Sequence, residues 1–201
     1  YQEHLADTGY TMSLLPTAGS VAVLQAINKG SADVGFVQGG TGSSVDTTNL
    51  VSLGSVFYEP LWIFYTPDTF DTVPEYILDL KGKRLAIGEE GSGSAVLARQ
   101  LLTDNGITDE ESQLLSINPT DALPLLREGE LDAVLFVLSP IAPLVREMLT
   151  EPTIKPLQIR RTLAYHRRYP YLTTVTLGEG SIDIAENIPS EEQVLLASAA
   201  S

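Results

Sequence analysis

RLAIGEEGSGSAVLARQLLTDNG, residues 84–106, contains a short apolar run, a glycine-rich loop and the apolar spacing of a helix, in that order. A strand followed by a tight loop and a helix is the repeating unit of α/β proteins with a largely parallel sheet. Gly106 stands where a helix would end, because glycine readily adopts the left-handed conformation that closes helices. We therefore predict a strand over 83–88 and a helix over 94–105.

The glycine-rich loop resembles the known phosphate-binding motifs only in part. A P-loop requires lysine after its second glycine, and here Ser94 follows Gly93. The dinucleotide-binding motif requires a third glycine where Val96 stands, and Glu89 and Glu90 would repel a pyrophosphate. These mismatches argue against a nucleotide as the ligand.

The start of the predicted helix still favours an anion. Ser92, Gly93 and Ser94 lie where free N–H groups and the helix dipole attract negative charge. Without a lysine, a group with a single negative charge, such as a carboxylate, is the better ligand. The alternative is purely structural: Ser92 caps the helix and the glycines form the turn.

A second loop, TAGSV at residues 17–21, repeats the order of strand, small and hydroxyl residues, and helix. Two such loops in separate halves of the chain predict hydroxyl and N–H groups that converge on a ligand. The alternative is that Ser20 or Thr17 does no more than cap the helix that follows.

Short apolar runs and helical stretches alternate along the chain, which predicts an α/β fold. Pro60 is expected to break or bend the long extended segment 50–67, and Ser190 is the expected N-cap of a final helix over 190–200. The other predicted strands are 10–16, 32–38, 113–117, 131–138, 155–159 and 171–184, and the other predicted helices are 20–30, 74–80, 120–128 and 140–150.

The sequence also contains one short internal repeat. NKGSADVGFV and REGELDAVLFV each place a helix-ending glycine (Gly30, Gly129) three residues before an aspartate (Asp33, Asp132) and an apolar run. This pattern is either a common helix-to-strand turn or the mark of two lobes built on the same plan, and it favours two similar halves.

Composition disfavours several classes of partner. With 26 acidic residues against 12 basic ones, the net charge is −14, which repels nucleic acid and anionic lipid. The chain contains no cysteine, so disulfides, thiolate metal sites and cysteine nucleophiles are excluded. It also contains no apolar run long enough to span a membrane.

Residues for catalysis are scarce. His4 and His166 lack metal-ligand spacing and are expected to be exposed or structural, and we expect neither a metal nor a cofactor. The adjacent glutamates are expected to be solvated pairs rather than acid–base dyads. Tyr58 and Glu59 belong to an aromatic and acidic extended stretch whose alternative role is core and hinge packing.

Taken together, these motifs resemble the TAXI family of TRAP transporter solute-binding proteins. The likeness runs in order over nearly the whole chain, through TAGSVAVLQAINKGSADVGFVQGGT, LGSVFYEPLWIFY, LKGKRLAIGEEGSGS, GELDAVLFV and YHRRYPYLTTVTLGEGSIDIAENIPSEE. It implies a two-lobed α/β fold of the periplasmic-binding-protein type, second structural class, with a ligand cleft between the lobes. It also implies an extracytoplasmic or periplasmic receptor that delivers a carboxylate-type solute, such as an amino acid or organic acid, to an ion-coupled membrane permease.

The resemblance further implies where the lobes and the cleft lie. The first lobe holds 1–66 and 173–201, the second holds 67–172, and family members carry further elements at both ends, so we expect this chain to be truncated at both ends. The expected partners are a small-molecule solute and TRAP permease subunits, and neither nucleic acid nor direct membrane insertion of this segment is expected. The implied cleft residues are Thr17, Gly19, Ser20, Gln38, Gly39, Tyr58, Glu59, Ser92, Gly93, Ser94, Phe136 and Ser139.

Two other classes of function stay open at this point. An enzyme on the same fold needs an acid–base or nucleophile pair in the cleft, and the sequence offers no convincing one. A ligand-sensing domain of a signalling protein would share the cleft, and a neighbouring transmembrane or kinase segment would distinguish it from a transport receptor.

Overall fold

The computed structural model describes residues 9–201, and His4 lies outside the described residues. The strands are β1 (Phe57–Tyr65), β2 (Arg84–Ala86), β3 (Gln113–Leu115), β4 (Ala133–Val137), β5 (Lys155–Pro156), β6 (Leu172–Leu177) and β7 (Gln193–Ala200). The helices are α1 (Ser20–Asn28), α2 (Gly93–Asp104), α3 (Pro119–Arg127), α4 (Pro143–Thr150) and α5 (Thr162–Arg168). Short 3₁₀ turns cover Thr41–Ser44, Pro67–Thr69 and Ile77–Leu80.

Across the described residues the strands form one mixed sheet in the order β3-β2-β4-β1-β7-β6, and β5 pairs with β1. β2 is parallel to β3 and β4, whereas β1 is antiparallel to β4 and β7. The parallel half is connected by α2 and α3, as the alternating pattern predicts. The predicted α/β fold class is confirmed.

The core lies on both faces of this sheet, and β1 shows why. Leu61 and Ile63 pack on one face with Leu97 and Leu101 of α2. Trp62, like Phe64, packs on the other face with side chains of α3 and α4. Because this central strand is buried on both faces, its sequence LWIFY is a continuous apolar run rather than an alternation of apolar and polar residues.

The prediction of a C-terminal helix over 190–200 is wrong. Residues 193–200 form β7, which lies between β1 and β6 and pairs with both. Leucine and alanine favour helices intrinsically, but burial of this segment in the middle of the sheet overrides that preference. Ser190 therefore caps no helix.

Of the predicted break or bend at Pro60, the break is wrong, since β1 continues through Pro60, which lies opposite Ala197. The carbonyl of Pro60 accepts a hydrogen bond from the amide of Leu138, the first residue after β4 (3.2 Å). A residue's N–H and C=O point to the same neighbour in an antiparallel ladder, so the missing N–H faces the end of β4. The ladder therefore loses no bond within β4.

Two predicted strands in the N-terminal part are not formed. Residues 10–16 carry no strand, and 32–38 contribute only a single bridge between Gln38 and Ala200. Their apolar side chains are exposed, among them Leu14 (70%) and Val34 (63%). A strand needs hydrogen-bonded pairing along its length, and a single bridge at Gln38 does not form one. Helix α5, over Thr162–Arg168, was not predicted.

The two copies of the short internal repeat end their helices in the same way. Gly30 and Gly129 each have φ +71°, and in each the next amide bonds to the carbonyl five residues earlier. After Gly129 the chain enters β4, and Asp132 binds Arg84 at 2.7 Å. After Gly30 no full strand follows, and Asp33 is exposed. The two turns are alike; the similarity of whole lobes stays a prediction.

Candidate functional site

The candidate site lies outside the carboxyl ends of β2 and β4. From β2 the chain passes through residues 87–92 into α2, which packs on one face of the sheet. From β4 it continues into α4, which packs on the opposite face. Neighbouring parallel strands whose connections leave on opposite faces create a crevice, and ligands of open α/β sheets bind there.

The two serines of the loop are held by backbone hydrogen bonds. The Ser92 hydroxyl accepts from the amide of Ala95 (3.1 Å), so Ser92 is the N-cap of α2, as the structural alternative predicts. The Ser94 hydroxyl accepts from the amide of Val137 (3.0 Å), which ties α2 to the end of β4. Each hydroxyl retains its own proton for donation. A ligand-binding role for either serine stays a prediction.

The second glycine-containing loop contacts the first. The amide of Val21 donates to the carbonyl of Gly91 (3.3 Å). A Cβ on Gly19 would lie 3.0 Å from the Cα of Ser92, and Gly19 has φ +135°. The close approach therefore requires glycine. The two loops are therefore in contact, and their convergence on a ligand stays a prediction.

Helix α1 begins differently from the predicted alternative. Its N-cap is Gly19, without a side-chain cap, so neither Ser20 nor Thr17 caps it. The Ser20 hydroxyl instead accepts from the amide of Gln38 (3.0 Å). Thr17 is exposed. Ser20 thus positions the segment that carries Gln38 against the glycine loop.

Gln38 lies directly over the first turn of α2. A Cβ on Gly93 would be 2.2 Å from Oε1 of Gln38 and 2.6 Å from its Cβ. The Nε2 atom of Gln38 is buried and has no hydrogen-bond partner among residues 9–201. A buried amide nitrogen without an acceptor is costly, so it points to an acceptor oxygen supplied from elsewhere.

Tyr171 is a site residue that the sequence reasoning missed. Its ring packs on the backbone of Gly39 and Gly40, where a Cβ on Gly40 would lie 2.8 Å from the Tyr171 hydroxyl. Burial raises the pKa of Tyr171. The amide of Gly39 donates to the carbonyl of Ala199 (2.7 Å). The paired glycines were the available signal, since adjacent glycines often mark a place where a bulky group meets the backbone.

Glu59 lies on the same sheet face as α2. It pairs with Ser198 across the β1–β7 ladder, and the Ser198 hydroxyl donates to the carbonyl of Gly39 (3.4 Å). Burial raises the pKa of Glu59, because the carboxylate loses water around it. Tyr58 is 53% exposed and points to the other face.

The structure does not bring the remaining predicted residues into this cluster. Phe136 is fully buried and stacks on Phe64 at 6.0 Å, within the core on the sheet face opposite α2. Ser139 lies in the turn after β4, where its carbonyl accepts from Ala142 (3.0 Å). The candidate site cluster therefore consists of Gly19, Ser20, Gln38, Gly39, Glu59, Ser92, Gly93 and Ser94, with Tyr171 added.

The described residues hold no group of three or more His, Asp or Glu side chains that is arranged to bind a metal ion. His166 is exposed, and its Nδ1 atom bonds to the carbonyl of Leu172. None of the helices between residues 9 and 201 has the length and apolar character to cross a membrane.

Comparison with solved structures gives similar folds at low identity. The alkanesulfonate-binding protein SsuA of Xanthomonas axonopodis pv. citri, bound to MOPS, is 20% identical with a TM-score of 0.51, over 84% of this chain and 62% of that chain. An ancestral arginine-binding protein bound to arginine is 17% identical with a TM-score of 0.54, over 78% and 65%. The periplasmic aliphatic sulphonate binding protein SsuA of Escherichia coli is 17% identical with a TM-score of 0.50, over 98% and 58%.

These likenesses establish the fold, which is that of two-lobed periplasmic binding proteins. The chain spans less than two thirds of the length of each of these structures. A family model described as NMT1-like matches residues 1–190. The chain therefore belongs to the NMT1-like family.

Proposed function

We propose that this protein is an extracytoplasmic, non-enzymatic receptor that binds a small solute through a carboxylate or similar oxyanion. The observation that carries the proposal is the buried, unpartnered Nε2 of Gln38 beside the first turn of α2. Ser92 accepts hydrogen bonds from the amides of Ala95 and Val96. The amides of Gly93 and Ser94 come before these two in the first turn, where N–H groups have no partner within the helix. The helix start and Gln38 together offer donors to an oxyanion.

The chemistry of the similar structures is consistent with this proposal. One of them holds MOPS, a sulfonate, and another holds arginine, which carries a carboxylate. Both ligands present a small group with negatively charged oxygens, which is what helix-start amides and a side-chain amide recognise. Tyr171 and the apolar strand ends would form the wall of the pocket.

The finer parts of the proposal follow from the resemblance to TAXI proteins. The lobes comprise 1–66 with 173–201, and 67–172, so the contact of Gly19 and Gln38 with the glycine loop joins residues of both lobes. The amino-acid or organic-acid solute is passed to a TRAP-type permease driven by an ion gradient. Closure of the lobes would exclude water and strengthen the bonds to the oxyanion.

A thermal-shift panel of L-amino acids, dicarboxylates, 2-oxoacids, alkanesulfonates and uncharged sugars tests this proposal. A solute at about a thousand times its dissociation constant adds roughly 4 kcal/mol of stability. That raises the midpoint of a chain of this size by about 8–16 °C. A shift with one class of acid and none with sugars is the expected result. A shift with a sugar alone would contradict the oxyanion site.

A further inference from the structure

A groove of about 580 Å³ lies at the end of the sheet opposite the candidate site. Strand β7 connects the two places: Val194 lines the groove, and Ala199 bonds to Gly39 of the site. Val194 and Ala199 are five residues apart, which along a strand corresponds to roughly 17 Å at about 3.4 Å per residue. We call this the basic groove, and its lining residues are Tyr76, Gln158, Ile159, Arg160, Arg161, Thr162 and Val194.

The basic groove collects positive charge on a strongly acidic protein. Residues 155–168 contain five of the chain's 12 basic residues and no aspartate or glutamate. The whole chain carries a net charge of −14. Two of these five, Arg160 and Arg161, line the groove and give it local positive charge on an otherwise acidic protein.

The two arginines of the groove share one aromatic platform. The Arg161 guanidinium lies 4.5 Å from the centre of the Tyr76 ring, and that of Arg160 lies 5.9 Å from it. Arg160 also pairs with Glu75 at 2.9 Å. Arg161 has no carboxylate partner among residues 9–201. Its charge is therefore held in place by stacking and remains open to an incoming anion.

The backbone at this point is held in an uncommon conformation. Arg161 has φ +64°, in the left-handed region that side chains other than Asn and Asp rarely adopt. Gln158 fixes the opposite wall, since its Oε1 accepts from the amide of Val194 and its Nε2 donates to the carbonyl of Glu192. The groove is thus built from positioned residues and not from loose surface side chains.

We propose that the basic groove binds a short acidic segment of a protein partner. The guanidinium groups are partly exposed, so each gains little from a single small anion in water. A segment with several carboxylates engages both arginines at once. Nucleic acid or an anionic lipid surface would also meet the acidic surface around the groove, which disfavours both.

The test is fluorescence anisotropy with a fluorescein-labelled peptide of six glutamates, against a labelled peptide of six glutamines. Hexaglutamate should bind at least about tenfold more tightly at low salt, and the difference should shrink at 0.15 M salt. R160Q/R161Q should lose this preference. K29Q/R99Q, which removes the same charge outside residues 155–168, should change the hexaglutamate affinity by less than about twofold.

Arg161→Gly separates binding from folding, because glycine accepts the left-handed backbone. It should keep or raise the thermal midpoint while weakening hexaglutamate binding. Gln38→Leu should bind hexaglutamate as the wild type does, which keeps this result independent of the solute site. Equal binding of the two peptides, or an equal loss in K29Q/R99Q, would overturn the proposal. Full competition by glutarate at the same carboxylate concentration would assign the groove to a small acid instead.

Discussion

Gln38 occupies the space that a side chain on Gly93 would need: a Cβ on Gly93 would lie 2.6 Å from the Cβ of Gln38. This contact joins the segment after α1 to the first turn of α2. It depends on a glycine at the helix start and on a long amide side chain above it. The same pair of residues therefore contributes to the stability of the fold and lies in the proposed ligand site.

Gly93→Ala should destabilise the protein by about 1–3 kcal/mol, because the new methyl group overlaps the Cβ of Gln38. Urea unfolding measures the change. Replacing Gln38 by glycine in the same chain should recover most of the loss, which a double-mutant cycle reports as coupling. Simple additivity of the two substitutions would contradict the contact.

Gln38→Leu keeps the size of the side chain and removes the Nε2 donor. Once a solute has been identified, we expect its affinity to fall by about 10- to 100-fold, as for loss of a hydrogen bond to a charged group. Calorimetric titration measures it. Gln25→Leu, on the exposed face of α1, is the matched control and should leave affinity unchanged.

Asp132→Asn should weaken the fold, since Asp132 accepts hydrogen bonds from both the side chain and the amide of Arg84. We expect a loss of about 1–3 kcal/mol at pH 7, against less than about 0.5 kcal/mol for Asp109→Asn in an exposed ion pair. Chemical unfolding of both variants measures the difference. Similar losses would show that the partly buried pair has no special role.

The same pair predicts a pH dependence. Burial raises the pKa of Asp132, but hydrogen bonds and charge from Arg84 outweigh it and hold the pKa below 3.8. A lowered folded-state pKa gives stability that is present above pH 3.8 and is lost as pH falls below it. The wild type should therefore lose more stability than D132N between pH 5 and about pH 2–3. Parallel losses in both proteins would contradict this assignment.

The pH dependence of stability that comes from Glu59 should have the opposite sign to that of Asp132, and Glu59→Gln tests it. Burial raises the pKa of Glu59 above 4.5, so the neutral form is favoured more in the folded state than in the unfolded chain. That preference favours the fold below pH 4.5 and is lost as pH rises through the raised value. At pH 7 the neutral glutamine should stabilise the solute-free protein by up to about 1 kcal/mol, and the gain should vanish near pH 4. Glu191→Gln, at an exposed position, should show no such trend.

Much of the parallel half was predictable from sequence. The run 84–106 predicted strand, loop and helix within a few residues of β2 and α2, because local signals agree there: apolar run, N-cap serine and closing glycine. The two glycine loops are in contact, whereas the predicted ligand between them stays a prediction. Tyr171 was missed, because its place on Gly39 and Gly40 depends on packing across distant parts of the chain.

The predictions that failed concern segments whose state depends on their neighbours. Residues 193–200 have helix-forming composition, and pairing with both β1 and β6 makes them a strand. Pro60 stays in β1 because its missing N–H faces the end of β4. Phe136 was expected beside a ligand, and the register of β4 against β1 directs its ring into the opposite core.

The sequence by itself determined the α/β class, the glycines that close helices and the loops that begin them, since these depend on backbone preferences within a few residues. Only the tertiary structure decided which segments pair as strands and which side chains share a face. Hydrogen-bonded partners and burial come from residues far apart in the chain, and their combined free energy exceeds local propensities of a few tenths of a kcal/mol. The pairing of Gln38 with Gly93, 55 positions apart, is of that second kind.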